Sequence, residues 1–224
     1  MRDGGAATVF VDPRARRSKD ALEAALLDLV ADRDLAQISV SDITKRAGVS
    51  RSTFYEHYAD VHSLAASACT DLFDELVEGT LLIDPQIVVS PGQDNPLIAA
   101  FRHFAANARL YRSLLGPDGS ARVINHLLQR IRVRTYVNRR ILSVTPTTVT
   151  PTAEGSPAGA DDGPGDIPHD PEAAFVAGAL VGIVVDWLRR GCPTTPEDLA
   201  AGVWPQLLGA ISVNGLGPRV DADR

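Results

Sequence analysis

The chain has 224 residues, enough to bury a sizeable core as one large domain or two small ones. With 45% hydrophobic and 22% charged residues it has an ordinary globular composition, and no apolar run reads as long enough to cross a bilayer. Its two cysteines, Cys69 and Cys192, show neither metal-ligand nor redox spacing, and the N-terminus lacks the apolar core of a signal peptide. A disulfide framework is thereby excluded and a cytoplasmic location expected.

The formal charge of −6 argues against phosphate binding until its distribution is considered. The acids Glu154, Asp161, Asp162, Asp166 and Asp170 fall in residues 143–170, which hold no Lys or Arg. Arg14, Arg16, Arg17 and Lys19 instead cluster near the N-terminus, and residues 122–140 contain six arginines without an acid. Local patches decide where an anion can dock, so a nucleic-acid partner stays open.

In chain order, residues 1–13 read as a flexible tail, Gly/Ala-rich and without period. Ala21, Leu22, Ala25, Leu26, Leu29 and Val30 then mark one face of a helix from about Arg14 to Arg33. Ser39 and Asp42 form a capping-box pattern for a second helix that Gly48 can end in a left-handed conformation. Ser50 can cap a third at once, and two helices joined by so short a turn cross steeply, as in a helix-turn-helix. A longer helix is predicted over Val61–Leu82, and others over Leu97–Leu115, Ser120–Leu142, Glu172–Arg190 and Glu197–Val213. The turn Gly116, Pro117, Asp118, Gly119 separates two of them, and Thr195 with Pro196 opens the last. Residues 143–170, rich in Pro, Gly, Thr and Asp, read as a disordered loop. No strand pattern is found. The class is all-α with about nine helices, divided into a helix-turn-helix domain at 14–60 and a second helical domain at 61–224.

The segment Ala47, Gly48, Val49, Ser50, Arg51, Ser52, Thr53, Phe54, Tyr55, Glu56, His57, Tyr58, with Leu64 after it, resembles the DNA-binding module of the TetR/AcrR family of transcriptional regulators. The resemblance covers residues 14–70 in motif and the remainder only in architecture. It implies a homodimer on a double-stranded DNA operator, with Thr53, Tyr55 and His57 touching phosphates. It also implies a repressor released by a small-molecule effector bound in the second domain. Val61 stands where the family usually carries lysine.

The residues support a DNA surface on physical grounds as well. A helix opening at Ser50 presents free amides and a positive dipole end to an anion. Arg51 and Ser52, at that end, are placed to reach base edges, and arginine can bond guanine through two parallel contacts. Ser41, near the start of the preceding helix, can reach a phosphate or a base. Phe54 and Tyr58, four apart, are expected to face inward.

Ala174, Gly178 and Gly182 recur every four residues, a stripe along which another helix can approach closely, and the resemblance makes this the dimer interface. Phe101, Phe104, Tyr111 and Trp187 are candidates for an effector cavity, such sites being mostly apolar. Two other function classes stay open: a degenerate helix-turn-helix protein acting through protein partners, and a small all-α enzyme. The second lacks a nucleophile motif, a phosphate loop or a metal-ligand cluster in the sequence, so no catalytic residue, metal ligand or cofactor is assigned.

Overall fold

The computed structural model describes residues 12–80, 95–143 and 167–213. Among them the chain forms α1 (Pro13–Asp32), a 3-10 turn (Leu35–Gln37), α2 (Val40–Ala47), α3 (Arg51–His57), α4 (Val61–Ala68), α5 (Thr70–Thr80), α6 (Leu97–Ala106), α7 (Ala108–Leu115), α8 (Ala121–Ser143), α9 (Pro171–Arg189) and α10 (Pro196–Val213). No strand occurs among the described residues, and the class is all-α as expected.

Three boundaries differ from the sequence reading, each for a local reason. Asp12 accepts from the Arg14 amide at 2.9 Å and Pro13 opens α1, so the helix begins inside the expected tail. The helix predicted over Val61–Leu82 breaks at Cys69, where φ −87° and ψ −2° take the backbone out of the regular spiral. The Leu97–Leu115 helix breaks at Asn107, whose side-chain amide donates to His103 O at 3.0 Å and competes with the helical ladder. Added to the eight helices laid out along the sequence, these two interruptions and the 3-10 turn give the eleven elements found among the described residues. The expected flexible tail falls outside the described residues up to residue 11, as does the expected loop between residues 144 and 166.

Helix α1 packs on α2, α4 and α7, while α8 lies along α9, α6 against α10, and α5 against α6 and α8. Helix α9 is long and apolar enough, by length and composition, to cross a membrane. Its apolar side chains have protein neighbours instead: Val176, Ala177, Leu180, Val181, Val184, Trp187 and Leu188 are all buried.

The first three helices are joined to the rest by contacts distant in sequence. The buried amide of Leu35 donates to Ser113 Oγ of α7 at 2.8 Å. Arg109 of α7 donates to the carbonyl of Asp32 at the end of α1. Asp60, which caps α4 through the Ser63 amide at 2.7 Å, pairs with Arg122 of α8 at 3.4 Å. The Ser63 amide foremost, with Arg122 adding to it, holds the Asp60 carboxyl below its ordinary range against the opposing effect of burial.

Two half-buried histidines bridge the second set of helices. His103 Nε2 lies 2.7 Å from the Tyr111 hydroxyl and His126 Nε2 lies 3.1 Å from Thr70 Oγ1. Burial pushes both imidazoles below their usual range, and Arg130 adds to the effect at His126.

Ser113→Ala leaves the Leu35 amide buried without its acceptor and is expected to cost about 1–3 kcal/mol, read as a lowered denaturant midpoint at unchanged slope. A histidine that is harder to protonate when folded binds fewer protons than in the unfolded chain. The stability it supports is therefore complete above the unfolded value of about 6.5 and is lost as pH falls from there towards the folded pKa. The melting temperature should drop over that window in the native chain and drop less in the His103→Gln, His126→Gln double variant; identical slopes would refute the assignment.

Candidate nucleic-acid interface

The site is built from local capping upward. Ser39 and Asp42 close a reciprocal box at the start of α2: the Asp42 amide donates to Ser39 Oγ at 3.2 Å and the Ser39 amide to Asp42 Oδ2 at 3.0 Å. The Ser39 hydroxyl, then its amide, lowers the Asp42 carboxyl. Gly48 ends α2 at φ 68°, a left-handed conformation that glycine enters without the penalty a Cβ brings. Two residues later Ser50 Oγ accepts from the Thr53 amide at 3.1 Å and starts α3.

Helix α3 has seven residues and is oriented by what it buries. Phe54 is fully enclosed, and Tyr58 is buried just past the helix end, as the sequence predicts. The Tyr58 hydroxyl donates to Glu23 Oε1 of α1 at 2.6 Å, and Ser67 of α4 donates to the same oxygen at 2.6 Å. Burial first, and Glu23 second, push the Tyr58 phenol well above its ordinary range, so it remains a donor to the carboxylate.

This arrangement turns a polar face outward. Arg51 and Ser52 are exposed, Thr53 is partly so, and the Tyr55 ring is 50% accessible. Arg51 Nη2 donates to the Tyr55 hydroxyl at 3.2 Å, with its guanidinium 5.6 Å from the ring centroid. Such a pair holds a planar cation in place at a gain of about 0.5–1 kcal/mol. Ser50 Oγ also lies 2.7 Å from Ser52 Oγ and 2.9 Å from Thr53 Oγ1, a hydroxyl cluster at the head of the helix. Ser41 is exposed on α2.

His57 makes a contact that the sequence did not show. Its Nε2 lies 2.8 Å from Ser18 Oγ, and the Ser18 hydroxyl donates to Ala15 O at 2.9 Å. With that proton committed, Ser18 is left to accept from His57 Nε2–H, so the half-buried ring ties α3 to α1. The ring borders a cleft of about 500 Å³ that Arg16 and Lys19 of α1 also line. Sequence reasoning found these two cations as a basic cluster but had no means of placing them beside His57. Asp60, adjacent to the surface in sequence, has its charge engaged by Arg122, and Val61 packs partly buried against the core.

The four aromatic candidates in the second set of helices separate. Phe101 and Phe104 line a wholly apolar cavity of about 40 Å³ together with Leu76, Val77, Ile131 and Leu180. Tyr111 and Trp187 are not on its wall. Tyr111 is fully buried, stacks edge-on to Phe104 at 4.6 Å and bonds His103, while Trp187 Nε1 donates to Thr194 O at 3.2 Å. Ala174, Gly178 and Gly182 all lie on the outer side of α9, beside Phe175 with 56% of its surface accessible. A Cβ built on either glycine would meet nothing within 4 Å. Among the described residues no group of three or more His, Cys, Asp or Glu side chains is disposed to hold a metal ion.

Residues 18–66 match the family described as bacterial regulatory proteins, tetR family. Over 71 residues, 30% of this chain and 19% of its relative, the sequence is 38% identical to the uncharacterized HTH-type transcriptional regulator YxbF of Bacillus subtilis. Over 60 residues, 27% of this chain and 28% of that protein, it is 35% identical to the HTH-type transcriptional regulator AlkX of Mycobacterium tuberculosis. The match thus spans less than a third of the length of these curated relatives. A solved TetR transcriptional regulator from Streptococcus agalactiae shares the fold with a TM-score of 0.55 at 23% identity, over 87% of this chain and 95% of that one. Residues 18–66 thus carry the helix-turn-helix segment of the tetR family of bacterial regulatory proteins, and the fold of the chain follows a solved TetR regulator over most of its length.

Proposed function

We propose that the chain is a sequence-specific DNA-binding transcriptional repressor of the cytoplasm, a regulator and not an enzyme, released from its operator by a small molecule. The observation that carries the reading is the polar face of α3. Phe54 and Tyr58 fix the helix from beneath, so Arg51, Ser52, Thr53 and Tyr55 stand outward together. In this reading residues 14–60 are the DNA-binding domain. Arg51 and Ser52 read base edges, while Ser41, Ser50, Thr53, Tyr55 and His57 hold phosphates, and Arg16 adds a cation past His57, in a cleft where Lys19 pairs with Glu23.

One such head covers only a half-site. The outward stripe of Ala174, Gly178 and Gly182 on α9, with Gly202 and Gly209 of α10 equally open, supports a homodimer through the last two helices. The two α3 probes then meet successive major grooves about 34 Å apart. Residues 61–224 carry the effector site, with Phe101 and Phe104 on its wall. Binding there favours a spacing of the heads that no longer fits the operator. Tyr111 links that wall to α7, whose Ser113 and Arg109 hold the end of α1.

The test is binding to DNA from upstream of the chain's own coding sequence, followed across a salt series. Affinity should fall steeply with salt, as it does when phosphates are neutralised. A complete absence of binding at low salt would refute the reading and leave a protein partner as the alternative. Arg51→Ala should cost about 1–3 kcal/mol at one base position and relax preference there, whereas Tyr55→Phe should weaken all sequences alike. Gly178→Leu should turn the dimer into a monomer in sedimentation and remove operator binding with it; a dimer that persists would take the interface away from α9.

A further inference from the structure

The apolar cavity has a neighbour. A cleft of about 220 Å³ between α5 and α8 is lined by Asp74, Val77, Arg130, Val133, Arg134 and Val137. Val77 belongs to the walls of both spaces, so a chemically mixed outer cleft adjoins a wholly apolar inner cavity at one side chain. The cleft is not neutral. Asp74 pairs with Arg130, which leaves Arg134 as the cation without an acidic partner among the described residues of the lining. Arg134 also keeps a buried Nε–H with no hydrogen-bond partner among the described residues, a donor whose desolvation calls for an acceptor.

Each simple occupant fails on one count. A bare inorganic anion satisfies the guanidinium and leaves Val133 and Val137 facing water. A neutral hydrocarbon fills the valine side and leaves the Arg134 guanidinium without a counter-charge. A cation meets like charge. The lining is matched by a molecule with an acidic head and an aliphatic body, because guanidinium fits a carboxylate through parallel hydrogen bonds and the three valines take methylene groups. The inner cavity, at about 40 Å³, is far below the roughly 300 Å³ and upward of sites that enclose whole drug-sized ligands. It suits the end of a chain, not a complete molecule.

We propose that the α5–α8 cleft binds an aliphatic carboxylate, its head on Arg134 beside the Arg130–Asp74 pair and its chain passing Val77 towards the cavity walled by Phe101 and Phe104. The consequence for DNA rests on the effector reading above; the binding itself does not. Calorimetric titration of the full chain with decanoate, decanol and decyltrimethylammonium, all below their micelle concentrations, tests it. Decanoate should bind once per chain and about tenfold or more tighter than the alcohol or the cation, the difference a charge-assisted bond provides. Arg134→Gln, on a partly exposed residue, should erase that preference while leaving the alcohol unchanged, and Val137→Glu should exclude decanoate by placing negative charge in the cleft. Equal affinity for alcohol and carboxylate, or full decanoate affinity in Arg134→Gln, overturns the proposal. Fluorescence anisotropy of the DNA complex separates it from the reading beneath. Selective decanoate binding that leaves DNA bound supports the cleft and removes decanoate as the releasing effector. Release by another compound, with decanoate unbound, upholds effector control and overturns the proposal.

Discussion

A helix of seven residues cannot maintain itself in water, because nucleation fixes several residues before the hydrogen-bond ladder gives a return. Helix α3 holds its place only because it is clamped from below. Phe54 contributes the burial of a whole aromatic side chain, on the order of 2 kcal/mol. Tyr58 adds a bond whose partner is specified by charge: Glu23 accepts from both Tyr58 and Ser67. One carboxylate thereby holds the end of α3 and the body of α4 to α1. Removing that acceptor would leave two hydroxyls seeking partners in a half-buried site, so the orientation of the outward face depends on a residue that never meets the outside.

What could be read in the sequence follows from range. The Ser39–Asp42 box, the left-handed Gly48, the Ser50 cap and the inward pair Phe54 and Tyr58 are set by residues within four of one another, and each occurs where periodicity and capping rules place it. Breaks at Cys69 and Asn107 were not legible, since a continuous apolar period runs through both. Contacts spanning 39 residues, between His57 and Ser18, or 78, between Leu35 and Ser113, have no local signature at all. Serine at position 113 reads as an indifferent residue inside an apolar stretch, and only the fold shows that it receives a buried amide.

The aromatic residues show the same limit on the side of function. Phe101, Phe104, Tyr111 and Trp187 look alike as large residues on helical faces, yet two of them carry a polar atom that must be satisfied when buried. Tyr111 finds His103 and Trp187 finds Thr194 O, and both are drawn into the packing between helices. The phenylalanines have no such obligation, and they are the pair that borders empty space. Composition identified the set, and hydrogen-bonding demand sorted it.

Magnitudes then bear on how the two halves communicate. Among the described residues, the polar ties of α7 and α8 to the first three helices and to the turn after them are the Ser113 bond to Leu35, the Arg109 bond to Asp32 O and the partly exposed Arg122–Asp60 pair. A neutral bond is worth about 1 kcal/mol net and an exposed ion pair less than that. Their sum is comparable with the roughly 1–3 kcal/mol of coupling that typical allosteric proteins use. A larger set of ties would weld the first three helices to the rest in one arrangement; a smaller one would let them move independently. Tyr111 stands at the junction, its ring on Phe104 and its own helix carrying Ser113 and Arg109. Any change in what fills the cavity beside Phe104 must therefore be accommodated next to the helix that fixes the end of α1.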